Sequence, residues 1–124
     1  MDLFVGVFNQ SLQVFLIKNN IQTWAMITAY NPGSRIRTET ENKLMDRQLE
    51  QLLDEERFRF HAAEHRDPKG VWPAEKSFFI ENIDLQSALT MARQFGQNAI
   101  VAGGREAVPQ LFDCNQSTKR RFNS

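Results

Sequence analysis

Hydrophobic and polar positions follow different periods along this chain, and each period predicts one kind of element. The run from Ala25 to Tyr30 is almost unbroken in its apolar character, which is typical of a central strand covered on both faces. The next residues, 31–34, end this run, because Pro32 cannot donate a ladder hydrogen bond and Gly33 permits a positive φ. The stretch from Trp24 to Ser34 is therefore predicted to be a buried strand that runs into a polar turn.

Helical spacing of apolar residues predicts two main helices. The first runs from Glu39 to about Glu55 behind a capping box formed by Thr38 and Glu41. Its inward stripe is predicted to contain Leu44, Met45, Leu49, Leu52 and Leu53, and its water-facing side Lys43, Asp46, Arg47 and Glu50. The second begins after Asp84 as N-cap and ends at Gly96. A shorter helix is predicted after Ser11, ending at Asn19 and Asn20, with Leu12, Phe15 and Leu16 facing inward.

Period-two alternation predicts a half-buried strand over residues 57–64. Further strands are predicted at 3–8, 77–81, 99–102 and 110–112. The central order of strand, helix, strand, strand, helix, strand corresponds to a split βαβ arrangement. We therefore expect an α+β fold whose mostly antiparallel sheet has a ferredoxin-like core with helices packed mainly on one face. Residues 1–114 are expected to form one domain, and residues 115–124 a flexible basic tail.

Composition narrows the functional classes. Ten Phe and 41% hydrophobic residues indicate a globular protein, and equal numbers of basic and acidic residues, 15 each, give no overall field toward nucleic acid or an anionic membrane. Cys114 is the only cysteine, so one chain can form neither an internal disulfide nor a Cys-rich zinc site. The start lacks the basic region of a signal peptide, and no apolar run approaches the roughly 20 residues of a membrane span. We expect a soluble cytoplasmic protein for which nucleic acid is an unlikely partner.

Four motifs carry a resemblance to a known family. They are I-T-A-Y-N-P from Ile27, E-N at Glu41, G-V-W-P-A-E-K-S from Gly70 and R-Q-F-G-Q-N-A-I-V from Arg93. In this order they resemble a family of small bacterial proteins known only as domain of unknown function number 3293. The resemblance covers roughly residues 24–112. It implies a shared fold and assigns no activity and no catalytic residues.

Histidines and acids near residue 64 form the pattern H-x-x-E-H-x-D, which includes His61, Glu64, His65 and Asp67. On a strand, residues four apart are separated by about 13 Å, too far for one ion unless the chain bends. We therefore predict no metal site, and nothing in the sequence requires a cofactor.

Three carboxylates, Glu64, Asp67 and Glu75, flank the loop that contains Trp72. Two interpretations remain open. A pair of them could share a desolvated pocket and act in acid–base catalysis, as in a small hydrolase or nuclease-like enzyme. Alternatively, Asp67 turns the chain while the two glutamates form surface ion pairs with Arg66 and Lys76. Cys114 is not a favoured nucleophile, because the sequence places no His or basic residue near it.

A neutral polar set is the remaining candidate: Asn31, Asn42, Gln97 and Asn98. Amides offer both donors and acceptors, so a converging set is suited to recognising a polar ligand or a peptide backbone. Trp72 is either an apolar wall of this site or a lid over the core. The sequence thus predicts a small binding or interaction module for a polar small molecule or a protein partner, with the hydrolase or nuclease-like enzyme as the alternative.

Overall fold

The computed structural model describes residues 3–65 and 75–115, which contain three α-helices, one short 3-10 turn and five strands. In chain order these are α1 (Gln10–Lys18), β1 (Thr23–Ile27), the 3-10 turn (Pro32–Ser34), α2 (Glu39–Glu55), β2 (Phe60–His65), β3 (Glu75–Glu81), α3 (Leu85–Gln94), β4 (Ala99–Gly104) and β5 (Gln110–Asp113). The predicted loop at 66–74 and the predicted tail from residue 116 lie outside the described residues.

The strands form one sheet in the order β2-β3-β1-β4-β5, and every neighbouring pair is antiparallel. In the centre, Met26 of β1 is aligned with Phe79 of β3 on one side and with Val101 of β4 on the other. The α+β fold with a mostly antiparallel sheet is therefore confirmed. The ferredoxin-like classification stays a prediction.

The sheet has a core on each face, because successive strand residues point to opposite sides. On one face, Ala25, Ile27 and Ile80 pack with α2 and α3. On the other face, the rings of Trp24 and Phe79 stack with 5.2 Å between their centroids, and they pack with Leu12 and Leu16 of α1. Two of the described helices thus share one face, while α1 covers part of the opposite one.

Helix ends follow the predicted capping chemistry. Thr38 accepts a hydrogen bond from the backbone of Glu41, whose side chain reaches back to complete the capping box. Asp84 caps α3 by accepting from the backbone N–H of Ser87 at 2.7 Å. The start of α1 was predicted incorrectly. Asn9 is its N-cap and accepts from the backbone N–H of Leu12 at 2.8 Å, so the helix begins before Ser11.

Residues 3–8 form turns rather than the predicted strand. Gly6 N donates to Pro109 O at 2.7 Å, and Asn9 N donates to Ala107 O at 2.9 Å. These two bonds fix the segment to the loop between β4 and β5 without a strand ladder. The apolar side chains of this segment are mostly exposed, so the apolar run does not reflect burial in a sheet.

The inward face of α2 differs from the predicted stripe. Leu44 is 55% exposed, whereas Asp46, predicted to face water, is only 8% exposed. The buried positions are Asn42, Asp46, Leu49 and Leu53, which share one helical face. The face was misjudged because its first half is polar, and apolar periodicity cannot mark polar residues as inward.

In the described part of the chain no helix is both long enough and apolar enough to cross a membrane. The cytoplasmic location stays a prediction.

Candidate functional site

Asn31 occupies the point where β1 has ended and the 3-10 turn begins. Its φ of 47° and ψ of 60° place it in the left-handed region, which Asn adopts more readily than most residues. The residue is only 7% exposed. A buried polar side chain in this unusual conformation requires partners, and the structure supplies them.

The side chain and backbone of Asn31 are fixed by four hydrogen bonds. Asn31 Nδ2 donates to Glu75 Oε2 at 2.7 Å, and Asn31 Oδ1 accepts from Asn42 Nδ2 at 3.0 Å and from Arg37 N at 2.9 Å. The backbone N–H of Asn31 donates to Asn42 Oδ1 at 2.8 Å. Both amides have a single orientation that satisfies these contacts, so the group is rigidly arranged.

Glu75 and Asn42 are brought to Asn31 from two distant elements. Glu75 begins β3 and Asn42 lies in the second turn of α2, and they are 7% and 5% exposed respectively. Burying a carboxylate is unfavourable unless donors replace its lost water. The Asn31 amide is such a donor, and the short hydrogen bond holds the carboxylate in one position.

A cavity of about 180 Å³ lies at this end of the sheet, on the face that α1 partly covers. Three of the sequence-predicted residues, Glu75, Gln97 and Asn98, line it. Its other described lining residues are Met26, Thr28, Ser77, Ala99, Ile100, Val101 and Leu111. Asn31 and Asn42 do not line the cavity. Asn31 contacts Glu75 directly, and Asn42 contacts Asn31.

Gln97 is also fixed by the end of β1. Its Nε2 donates to Tyr30 O at 3.1 Å and to Phe95 O at 3.3 Å. No described residue donates to its Oε1. The Nε2 donor of this lining residue is therefore already used by the backbone.

The structure does not bring Glu64 to this site. Glu64 is exposed and is aligned with Lys76 across β2 and β3, so the two share a face of the sheet. Glu75 precedes Lys76 in β3 and points to the opposite face. Glu64 and Glu75 therefore do not form a shared pocket. Asp67 and Trp72 lie outside the described residues.

The histidine region has a packing role in the described chain. His61 Nε2 lies 2.5 Å from Glu81 Oε2, and its ring packs edge-on against Phe15 at 5.6 Å between centroids. Among the described residues no group of three or more His, Cys, Asp or Glu side chains is placed to hold a metal ion.

Asp46 is a buried charged residue, although the sequence predicts it on the water-facing side of α2. Its Oδ1 has no hydrogen-bond partner among the described residues, and its Oδ2 lies 3.9 Å from Lys76 Nζ. Burial raises the pKa of the Asp46 carboxyl, while Lys76 acts in the opposite direction. The spacing does contain a signal, since Asp46 is four residues after Asn42 and three before Leu49 on the same face.

Tyr30 extends this polar region along α2. Its hydroxyl donates to Glu39 Oε1 at 3.3 Å. Burial raises the pKa of Tyr30, and the nearby carboxylates of Glu39 and Asp46 raise it further. The hydroxyl therefore remains protonated and available as a donor at neutral pH.

Cys114 is completely buried, and burial raises the pKa of its thiol. Arg93 is close, because its guanidinium donates to the Cys114 carbonyl oxygen, and it partly opposes this rise. The expectation that no basic residue lies near Cys114 was wrong. The raised pKa nevertheless disfavours a thiolate nucleophile.

Two larger grooves, about 430 and 390 Å³, lie between α2 and α3. Exposed polar side chains form much of their lining, including Gln48, Gln86 and Gln94. None of the sequence-predicted site residues that the structure describes lines them. The cavity at the end of the sheet is smaller, but it has a buried carboxylate fixed in its wall, which makes it the stronger candidate.

Comparison with known proteins identifies the family. The model of the family described as Protein of unknown function (DUF3293) matches residues 27–100, more than half of the chain, so the chain belongs to this family. The matched region contains Asn31, Asn42, Glu75, Gln97 and Asn98. No curated protein and no solved structure gives a significant match.

Proposed function

We propose that this member of the DUF3293 family is a binding module that recognises a small polar ligand in the cavity at the end of its sheet. The observation that carries the proposal is the 2.7 Å hydrogen bond from Asn31 to Glu75. It fixes a buried carboxylate in the wall of a cavity before any ligand arrives.

Such preorganisation favours binding, because polar groups that are already oriented lose little conformational entropy when a ligand arrives. The surrounding surface has the composition of a ligand site. Met26, Val101 and Leu111 form apolar parts of its wall, while Glu75 and Gln97 provide polar groups that can fix orientation. A volume of about 180 Å³ is below the roughly 300–1,000 Å³ of typical ligand pockets, so the ligand is small or only one group of it enters.

The proposed roles differ within the candidate set. Glu75, Gln97 and Asn98 contact the ligand, since they line the cavity. Asn31 and Asn42 are positioning residues that hold Glu75. Trp72 and Asp67 are not needed for this proposal.

A hydrolase or nuclease-like activity receives less support. It would need two carboxylates within reach of one substrate, and Glu75 is the only charged residue among the described residues that line the cavity. Asp46 is buried on the face that carries α2 and is not among the lining residues. We therefore place binding ahead of catalysis.

The proposal is tested by filling the cavity. Ala99 lines it and is exposed, so Ala99→Phe is expected to occupy the space without disturbing the core. Fragments of fewer than about ten non-hydrogen atoms are screened for binding by NMR. We expect at least one fragment to bind the native protein and to lose its binding when the cavity is filled.

Ala62→Phe is the matched control, because Ala62 is an exposed alanine of β2 that does not line the cavity. Hits should persist in Ala62→Phe and disappear in Ala99→Phe. Hits that still bind Ala99→Phe, or a screen with no hits, would contradict the proposed small-molecule site. A protein partner would then be the ligand class to test.

A further inference from the structure

We infer that the surface formed by residues 4–8 and the outer side of α1 binds a second copy of this chain, so that the protein is a symmetric dimer. The inference goes beyond the proposed function and does not depend on it, because none of the residues that carry it lines the cavity. The N-terminal patch consists of six exposed apolar side chains: Phe4, Val5, Val7, Phe8, Val14 and Ile17.

The N-terminal patch contains most of the large apolar side chains that the described structure leaves exposed. Each of its six members is between 49% and 58% exposed. The other described large apolar side chains with comparable exposure are scattered over different elements: Ile36, Leu44 and Leu111. Backbone N–H groups of Gly6 and Asn9 donate to the loop between β4 and β5, so the segment that carries the two Phe side chains is fixed to the domain.

The helix α1 is apolar on two opposite sides. Leu12 and Leu16 are completely buried against the sheet, whereas Val14 and Ile17 lie on the other side of the helix and are 58% exposed. A surface helix normally carries polar residues on the side away from the core, and a helix that is apolar all round is typical of a buried position. The outer side of α1 therefore has the composition of a covered surface, and the described part of the chain does not cover it.

Charge selects the occupant of the N-terminal patch. The sequence contains no Asp, Glu, Lys, Arg or His from Leu3 to Ile17. A strongly charged partner finds no complementary charge there, whereas a second neutral patch meets it without repulsion. The whole chain has a formal net charge of zero at pH 7, so two copies approach each other without a long-range barrier. A membrane surface fits less well, because interfacial helices are rich in Lys and Arg and α1 has only Lys18.

The area of the N-terminal patch is sufficient for a dimer. A large apolar residue has a surface of roughly 200 Å², so six that are about half exposed present roughly 600 Å². This value is at the upper end of the apolar patches found on monomers. Two copies that cover each other's patches would bury about 1,200 Å² in total, which reaches the lower end of the range for stable interfaces. A two-fold arrangement uses the same surface on both copies and leaves neither patch open.

The test is sedimentation equilibrium of the full chain over a range of concentrations. We expect a dimer that dissociates on dilution, with most of the protein dimeric at about 100 μM. Raising the salt concentration from about 0.05 M to about 0.5 M should not weaken the dimer, because its contact is apolar. A monomer at every concentration would overturn the inference. A dissociation constant that rises tenfold with salt would also overturn it, because charged surfaces would then form the contact.

Two substitutions locate the contact. Val14→Glu places a charge in the N-terminal patch without changing the core and should raise the dissociation constant of the dimer at least about tenfold, and Ile17→Glu should do the same. Leu44→Glu is the matched control, because Leu44 is a helical aliphatic residue of similar exposure, 55%, that lies outside the patch. It should dimerise like the native chain.

Thermal unfolding of each variant, followed by circular dichroism below the native dissociation constant, separates a loss of folding from a loss of association. A dimer that persists in folded Val14→Glu and in folded Ile17→Glu would overturn the assignment of the patch. The same conclusion would follow if Leu44→Glu weakened the dimer as much as they do.

Discussion

Asn31→Asp is the sharpest test of the buried network, because it changes one donor into an acceptor with almost no change in shape. In the native chain Asn31 Nδ2 donates to Glu75 Oε2 at 2.7 Å. After the substitution two carboxylates face each other across this contact. With an effective dielectric constant of about 20, two unit charges about 3 Å apart repel by roughly 6 kcal/mol.

The pair can avoid part of this repulsion by taking up a proton. Protonating one carboxyl with an ordinary pKa near 4 costs about 4 kcal/mol at pH 7, and the resulting acid can donate to its neighbour. Since this cost is smaller than the repulsion, we expect Asn31→Asp to reduce the free energy of unfolding by about 4 kcal/mol at pH 7. The shared proton has a raised pKa in the folded variant, so the folded state binds more protons than the unfolded state above about pH 4. The loss should therefore shrink by about 1.4 kcal/mol for each pH unit of acidification and vanish near pH 4.

The assay is urea unfolding followed by tryptophan fluorescence at pH 7 and pH 5. A loss of about 4 kcal/mol is a large part of the 5–15 kcal/mol typical of a domain, so the pH 5 measurement keeps the variant observable. The double variant Asn31→Asp with Glu75→Gln exchanges the amide and the carboxylate. Because the new carboxylate still accepts from Asn42 and from the backbone of Arg37, most of the stability should return at pH 7.

Asn82→Asp is the control, since Asn82 is an exposed residue that shares the left-handed conformation, with a φ of 54°, and its Oδ1 accepts from Gln22 N at 2.7 Å, as an aspartate oxygen also can. It should change stability by no more than about 0.5 kcal/mol. The reasoning would be refuted if Asn31→Asp were as stable as the native protein at pH 7, or if the double variant were no more stable than the single one.

Three further substitutions test other parts of the fold by urea or thermal unfolding. Gly33→Ala should lower the free energy of unfolding by about 1 kcal/mol, because Gly33 has a φ of 66°. Gly96→Ala should lower it more, because the added Cβ would lie 2.9 Å from Pro32 Cβ. Equal losses of stability in the two variants would contradict this reasoning. Asp46→Asn should raise stability more at pH 7 than at pH 3.5. Burial raises the pKa of the Asp46 carboxyl, because its charged form is the one that folding penalises. An equal change in stability at both pH values would exclude this explanation. Asp84→Asn should lower stability at pH 7 and have no effect near pH 2. Hydrogen bonds from the first turn of α3 lower the pKa of the Asp84 carboxyl, so its charge stabilises the fold only above that pKa. A loss of stability that persists at pH 2 would rule out a charge effect.

Most elements could be predicted from the sequence because their signals are local. The capping box at Thr38 and the cap at Asp84 mark where helices begin, and the turn at Asn31 lies just beyond the end of the central strand. Residues 3–8 were mispredicted because a short apolar run resembles a strand wherever it occurs. Whether such a segment finds a partner strand depends on distant parts of the chain, which local pattern does not contain.

The candidate site was only partly predictable for the same reason. Asn31, Asn42 and Glu75 could be chosen as polar residues beside turns and element ends. Their contacts depend on the docking of α2 and on the pairing of β1 with β3, which are long-range features. Glu64 and Glu75 were grouped because both flank one loop, but strand alternation places them on opposite faces.

The polar half of α2 explains why the site hypothesis belongs at this end of the sheet. Leu49 and Leu53 continue the apolar core, whereas Asp46 and Asn42 occupy equivalent inward positions one and two turns before Leu49. Apolar residues at these positions would gain burial energy without requiring partners. Instead, Asn42 holds Asn31, and Asn31 holds a carboxylate in a cavity wall. In the described structure the grooves between α2 and α3 have no comparable arrangement of buried polar side chains. The polar residues Asn42 and Asp46 therefore interrupt the apolar face of α2 at the end of the sheet where Glu75 is fixed in the cavity wall. Such a break in the apolar pattern is expected at a binding site.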